Sequence, residues 1–349
     1  MRVLHVTEAL GGGIQSAIAN YVEGLTEVEH SLFARARSGQ GTHAVDAALT
    51  SFEEYDGSLA GFFTRLVEKV RDEQPDVVHL HSSFAGAARA LLPRGARVVY
   101  SPHCYSMERR DVPLPLRWSY GAMELLLARR KQVTVAVSPR EAAISGRLNS
   151  STPAAVVLNP SPFTRATAPR GHVSPRSVVT VGRISPQKDP ALFAAVASQF
   201  DPADVSFHWI GDGDPADREA LEAAGVDVSG WVAPAQLRGH LEHAALYLHT
   251  AAWEGGPVST IEAASLGVPV LAKAIPSMRS LGYELAGESA DELVAHVQRF
   301  FGDDEYAAEV GAVSTALATE ASKPAMAAAL RSAYTSAMTR ASRGRPSAR

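Results

Sequence analysis

The sequence predicts an α/β protein made of two Rossmann-like, doubly wound domains facing a central cleft. Short β-branched runs alternate with longer helical segments from the first residues onward. A proline-rich stretch interrupts that rhythm once, and the rhythm then restarts. A chain of 349 residues is also long for one hydrophobic core and comfortable for two.

In the first half the strand candidates are RVLHV (2–6), SLFARA (31–36), DVVHLH (76–81), RVVYS (97–101), VTVAVS (133–138) and AAVVLN (154–159). None alternates cleanly between apolar and polar residues, as suits parallel strands buried on both faces. Segments with helical spacing lie between them, at Ile14–Leu25, Leu59–Glu73, Ala85–Leu92 and Leu116–Arg130. In the second half SVVTVG (177–182), VSFHWIG (205–211), VDVSGWV (226–232), LYLHT (246–250) and VPVLA (268–272) repeat the pattern. The expected organisation is an N-terminal domain over 1–160, a linker over 161–176 and a C-terminal domain over 177–325. A helix over 326–340 is expected to pack back on the N-terminal domain, followed by a disordered basic tail over 341–349. Ligands of such sheets sit at the carboxyl ends of the strands, so the two sheets are expected to share one crevice.

Composition narrows the function. The formal net charge of −4 offers no electrostatic case for nucleic acid as a partner. The single cysteine, Cys104, can make neither an internal disulfide nor a cysteine zinc cluster, which suits a reducing cytoplasm. The apolar run after Arg2 is too short for a signal-peptide core, and no run approaches a membrane span.

Three clusters can carry chemistry. Gly11, Gly12 and Gly13 follow the first strand and precede a helix, where a bare backbone can approach a phosphate. The string GGGIQS also approximates a dinucleotide fingerprint, with Ser16 in the last place. A nicotinamide site wants an acid after the second strand, however, and that strand ends in Arg35 and Arg37. The second cluster is GRISPQKDP (182–190), where Arg183 and Lys188 can converge on one diphosphate. The third is WEGGPVSTIEAASLGVPVLA (253–272). There Glu254 lies in a glycine-rich loop and Glu262 about one turn into a helix. The amides of Gly256, Val258 and Ser259 point from that helix's N-terminus, an anion-binding arrangement. A carboxylate in so apolar a helix needs a partner, and sugar hydroxyls are suitable ones.

This last segment resembles the E-x7-E signature of the retaining glycosyltransferases of family 4, and Arg183 with Lys188 resembles that family's donor-phosphate pair. The first glycine loop, the GDG at 211–213 and the GVPV at 267–270 follow the same template in the same order. The resemblance implies a GT-B fold and a metal-independent, retaining transferase with no cofactor. Its donor would be a nucleotide-diphosphate sugar (UDP- or GDP-linked) and its acceptor a glycan, a lipid-linked sugar or a small molecule. Glu262 would then bind the donor ribose and Glu254 the transferred sugar. Arg183 and Lys188 would neutralise the diphosphate, with Gly12 and Gly13 closing over it. His103, in SPHC after a first-half strand, resembles the family's histidine near sugar and acceptor. The sequence departs from the family at Gly255–Gly256, at KAIPS (273–277) and at Asn159–Pro160. A sugar-nucleotide epimerase, a phosphorylase or a silent sugar-nucleotide binding module would use the same scaffold.

Asp212 and Asp214 form a D-x-D that could suggest a metal, but they lie in a turn far in sequence from the phosphate set. His79 and His81 share a strand face, and no third metal ligand stands at suitable spacing. Residues 109–131 combine flanking arginines with Leu116, Trp118, Tyr120, Met123 and Leu127, a composition that can lie on the inner face of an anionic membrane. The competing expectation is that Leu116, Tyr120, Met123 and Leu127 form a stripe packed on the first sheet.

Overall fold

The computed structural model describes residues 1–36, 49–163 and 176–342. Most of the proposed linker and tail, and Arg37, lie outside the described residues. The chain divides into two compact units, one of Met1–Asn159 with the segment from Lys323 onward, the other of Pro160–Ser322.

Unit 1 contains β1 (Arg2–Leu10), α1 (Gly12–Gly24), β2 (Glu29–Ala36), β3 (Ser51–Glu54), α2 (Leu59–Glu73), β4 (Val77–His81) and α3 (Ser83–Gly86). It continues with β5 (Val98–Ser101), α4 (Leu114–Leu127), β6 (Gln132–Ala136), α5 (Pro139–Leu148), β7 (Ala154–Val156) and, from the end of the chain, α13 (Lys323–Ser342). The strands form one parallel sheet in the order β3-β2-β1-β4-β5-β6-β7. The direction of growth reverses between β1 and β4.

Unit 2 contains β8 (Ser177–Val181), α6 (Pro190–Ala197), β9 (Ser206–Ile210), α7 (Pro215–Ala223), β10 (Val226–Val228), α8 (Pro234–His243) and β11 (Leu246–His249). Then follow α9 (Val258–Ser265), β12 (Val270–Ala272), α10 (Pro276–Leu281), β13 (Glu284–Leu285), α11 (Ala290–Gly302) and α12 (Asp304–Glu320). Its parallel sheet runs β10-β9-β8-β11-β12-β13, so the reversal falls between β8 and β11.

The strands read from hydrophobicity are all present, because β4, β5, β6 and β11 are buried along their whole length. The two missed strands, β3 and β13, are short edge strands with only partly buried side chains. α2 spans the predicted residues: Ser58 caps its first turn through the Gly61 amide at 3.1 Å, and Phe62, Leu66 and Val70 form its buried face. The segment expected as one helix over Ala85–Leu92 is instead α3 followed by a 3-10 turn at Ala87–Ala90.

The stripe expected on α4 is not buried. Of Leu116, Tyr120, Met123 and Leu127, only Leu127 lies in the core. The helix instead turns Glu124 inward, where it meets Arg89 at 2.6 Å with the two side chains 5% and 1% exposed. Tyr100 donates to the same carboxylate at 2.7 Å, and the Arg89 guanidinium stacks 3.8 Å over the Tyr100 ring. An ion pair so fully bonded can be buried, and it takes the place of the apolar contact the sequence suggests.

α13 completes the core of unit 1. Met326, Leu330, Ala333, Tyr334 and Ala337 pack with Val3, Ala17, Tyr21, Val77, Val99, Val133 and Val135. The end of the chain is thus a structural part of the first sheet's cover. Leu330→Ala should destabilise unit 1 by about 2–5 kcal/mol, the range for an emptied leucine site that is fully buried. Urea unfolding followed by tryptophan fluorescence and circular dichroism measures the change; an unaltered midpoint would show that α13 is dispensable.

Candidate functional site

In unit 2 the strand reversal places the loops after β8 and β11 beside one another, where parallel sheets of this kind hold ligands. The loop after β8 carries Arg183 and Lys188. It is held by backbone pairing with the GDG turn: Ile184 donates to Asp212 O at 3.0 Å, and Asp214 donates to Ile184 O at 3.1 Å. Contact is so close that a Cβ on Gly211 would lie 2.2 Å from Gly182 O, and one on Gly213 would lie 2.1 Å from Ile184 O. Both glycines are therefore required by the neighbouring backbone. Asp212 pairs with Arg218 at 3.1 Å and Asp214 caps α7 through the Ala216 and Asp217 amides, so each acid of the D-x-D has a local structural role.

The loop after β11 carries Glu254. It is tied to the first loop by Ala252 N–H to Gln187 O at 2.9 Å and by Thr250 Oγ1 to Lys188 O at 3.0 Å. Lys188 lies across Gly182 and reaches Glu254, with Nζ to Oε1 at 2.5 Å and side chains 18% and 9% exposed. Two residues assigned separately from sequence, one to a phosphate and one to a sugar, thus form an ion pair. Arg183 is half-buried in the same loop.

α9 begins at Val258 with Pro257 in the capping position. The amides of Gly256, Val258 and Ser259 have no hydrogen-bond partner among the described residues. The Ser259 hydroxyl bonds Tyr247 at 2.8 Å, which anchors the helix start to the end of β8 through Val181 N–H to Tyr247 Oη at 3.2 Å. Glu262 sits in this helix, and burial lifts its carboxyl to about 7 against the opposing pull of the Lys188 charge.

Sequence reading missed three groups here. Asp189 adopts a left-handed conformation (φ 55°), caps α6 and binds Lys273 at 2.8 Å. His249, at the end of β11, has a buried Nε2 without a partner, and burial with the charges of Lys188 and Lys273 keeps its ring neutral. His249 and Lys273 stand at or just after strand ends, and Asp189 stands at a helix start, positional signals that could have found them.

In unit 1 the loop after β1 carries Gly12 and Gly13. Gly12 has φ +55°, and no described heavy atom lies within 4 Å of where its Cβ would be. Backbone conformation, not close packing, demands this glycine. His103 follows β5, and it and Cys104 both have left-handed φ, 47° and 80°. Such a pair persists only when neighbours hold it. The buried Glu141 carboxylate does so, accepting from the Cys104 amide and from the Val137 amide at 2.9 Å. His103 Nε2 lies 3.0 Å from His81 Nδ1, and burial lowers its pKa to about 4.

The fold also supplies the third histidine that spacing withheld. His5, His79 and His81 are fully buried, with potential ligand atoms within 4.8 Å of one another. His5 comes from β1, aligned with His79 of β4 by strand register.

Residues 12–162 match the family described as a glycosyl transferase 4-like domain, and residues 175–303 match glycosyl transferases group 1. An uncharacterised 41.2 kDa protein in the cps region of Klebsiella pneumoniae is 25% identical over 295 residues, 80% of this chain and 82% of that protein. A putative teichuronic acid biosynthesis glycosyltransferase of Bacillus subtilis, TuaC, is 30% identical over 227 residues, 61% of this chain and 57% of that protein. Among solved structures, Anabaena HepE in complex with UDP and glucose superposes with a TM-score of 0.76 at 16% identity, covering 96% of this chain and all (100%) of its own.

The raised pKa of Glu262 has a sign that can be tested. The folded state holds this proton more tightly than the unfolded chain does. The contribution to stability is therefore complete below the ordinary carboxylate value of 4.5 and is lost as pH rises through about 7. Glu262→Gln, neutral at every pH, should gain about 2–3 kcal/mol over the parent at pH 8.5 relative to pH 4.5. Thermal denaturation at both pH values measures it, and a pH-independent difference between the two proteins would reject the assignment.

Proposed function

We propose that this chain, a glycosyltransferase of GT-B fold, transfers a sugar from a nucleotide-diphosphate donor with retention of configuration and without a metal. The observation that carries the reading is the arrangement in unit 2. Lys188, Glu254 and the start of α9 gather on the two loops at the strand reversal, with Glu262 one turn inside the helix.

The leaving nucleotide diphosphate gains negative charge in the transition state. Arg183, Lys188 and the α9 amides would stabilise it, since fixed cations and amides need no reorganisation during reaction. Glu254 holds Lys188 in place, and a donor phosphate would compete for that ammonium and release Glu254 toward the sugar. Glu262 would accept the ribose hydroxyls. In the retaining route, the bond from the anomeric carbon to phosphate oxygen breaks and the acceptor oxygen bonds to the same face. The acceptor proton passes to the departing phosphate, so no separate protein base is required. The uridine diphosphate in HepE makes a UDP-sugar the first donor to test, and a GDP-sugar the second.

The relatives of the cps region and of teichuronic acid biosynthesis support a cell-surface polysaccharide or its lipid-linked precursor as acceptor. α4 supports a membrane-side encounter. Its exposed residues are Leu114, Pro115, Leu116, Trp118, Ser119, Ala122, Met123, Leu125 and Leu126, and none is charged. Trp118 is 72% exposed and Leu114 57%. Arg110 precedes the helix and Arg129 and Lys131 follow it, all exposed. An apolar face with cations at both ends fits the headgroup layer of an anionic bilayer. No helix among the described residues is long and apolar enough to cross a membrane, so the contact would be peripheral.

Arg183→Ala and Lys188→Ala should each lower turnover by two to three orders of magnitude, or about 2–4 kcal/mol. The double variant should fall short of the sum, because both charges act on one group. Steady-state transfer from UDP- and GDP-sugars measures this; near-normal turnover in both single variants would remove the phosphate site from this loop. NMR of the product should show the donor's anomeric configuration. Activity should survive EDTA; loss with rescue by magnesium or manganese would give the diphosphate to Asp212 and Asp214.

A separate prediction concerns the membrane. Sedimentation with phosphatidylglycerol vesicles should fall at least tenfold in Trp118→Ser/Leu126→Ser, with UDP affinity unchanged. Equal sedimentation of parent and variant would exclude α4 as the contact.

A further inference from the structure

Three buried histidines in unit 1, His30, His5 and His81, form a continuous hydrogen-bonded chain with the half-buried His103. His30 Nε2 lies 3.1 Å from Leu25 O, His30 Nδ1 lies 2.9 Å from His5 Nε2, and His5 Nδ1 lies 2.9 Å from His81 Nε2. His81 Nδ1 then lies 3.0 Å from His103 Nε2. Burial depresses the pKa of every ring in the chain, so each imidazole is neutral and carries one N–H.

The far end of the chain sets its direction. A backbone carbonyl can only accept, so His30 must carry its hydrogen on Nε2. Its Nδ1 is then an acceptor, which requires the hydrogen of His5 on Nε2. The same step repeats through His81 to His103. One carbonyl thus determines four tautomers. The chain is not a route for carrying protons away, because Leu25 O cannot take one. At the near end, His103 Nδ1 has no hydrogen-bond partner among the described residues, and the ring is half-buried rather than sealed.

We propose that the His30–His5–His81–His103 chain is a one-way hydrogen-bond lock that holds His103 in its Nε2–H tautomer and leaves Nδ1 as an acceptor for a substrate hydroxyl. His81, His5 and His30 are positioning residues in this scheme. Each donates in the same sense, so the bonds polarise one another toward the free nitrogen. The hydroxyl half of the proposal rests on the glycosyltransferase reading; the tautomer half does not. The lock also bears on the metal question. In the chain the lone pairs of His5 and His81 are already engaged, and both nitrogens of His79 are held, by Tyr334 Oη at 2.9 Å and Ser101 Oγ at 2.8 Å. A cation would have to break these bonds.

The test begins with the unaltered protein. Long-range proton–nitrogen correlation spectra of the histidine rings at pH 7.5 should show the Nε2–H pattern for residues 5, 30, 81 and 103. An Nδ1–H tautomer or a charged ring at His103 overturns the lock, and so does stoichiometric zinc in the protein as purified. His81→Asn keeps an acceptor oxygen where Nδ1 stood and should keep the His103 tautomer; His81→Phe removes the acceptor and should mix the two. With UDP as the binding probe, both variants should retain parental affinity. Transfer turnover should fall at least tenfold in His81→Phe and recover most of that loss in His81→Asn. Correct tautomers with equal turnover in the two variants would refute the hydroxyl role while leaving glycosyl transfer intact. Loss of transfer in the parent protein would instead refute the reading on which that half rests.

Discussion

The ion pair of Lys188 and Glu254 is the interaction on which the candidate site in unit 2 depends. It joins the loop after β8 to the loop after β11 at the point where the sheet reverses direction. The same ammonium offsets the burial of the Glu262 carboxyl and helps to keep His249 neutral. One charge therefore acts on two buried neighbours besides its ion-pair partner, in each case second to burial itself. Its position is secured by glycine: Lys188 crosses Gly182, and Gly211 and Gly213 let the GDG turn press against the carbonyls of the Lys188 loop. A methyl group at either turn glycine would displace the loop and move the charge with it.

Unit 1 treats its polar interior in the opposite way. Five histidines are held neutral by burial, and the ordering there comes from hydrogen-bond direction rather than charge. Buried charge there is fully bonded and structural: the Arg89–Glu124 pair supports a helix, and the Glu141 carboxylate holds the backbone of the turn after β5. The division has a physical logic. On the proposed function, a diphosphate would need cations that are in place before it arrives, whereas an uncharged hydroxyl would need a neutral acceptor of known direction.

α4 shows how a buried ion pair can invert a helix. With Glu124 committed to Arg89, the helix rotates its leucines, Trp118 and Met123 outward. Seven of the twelve large apolar residues exposed in the described structure lie on this helix or against it: Leu114, Leu116, Trp118, Met123, Leu125 and Leu126 on it, and Phe84 beside Tyr120. A soluble surface rarely concentrates so much apolar area without a partner for it.

The sequence by itself determined the architecture. Buried parallel strands are continuous apolar runs, and β1, β4, β5, β8, β9 and β11 are legible for that reason, as is α2 with its Ser58 cap. It also placed Arg183, Lys188, Glu254 and Glu262, since each lies in a short motif beside a strand end or helix start. Edge strands β3 and β13 were not legible, because a short half-exposed strand carries too few apolar positions to stand out. The tertiary structure alone decided what lies between elements distant in the chain. It paired Lys188 with Glu254 and Asp189 with Lys273, turned α4 around Glu124, and used strand register to set His5 of β1 beside His79 and His81 of β4. Local sequence reports periodicity, which follows from the backbone's own repeat. Register and ion pairing depend on which strand or loop arrives next to which, and that is fixed only when the whole sheet closes.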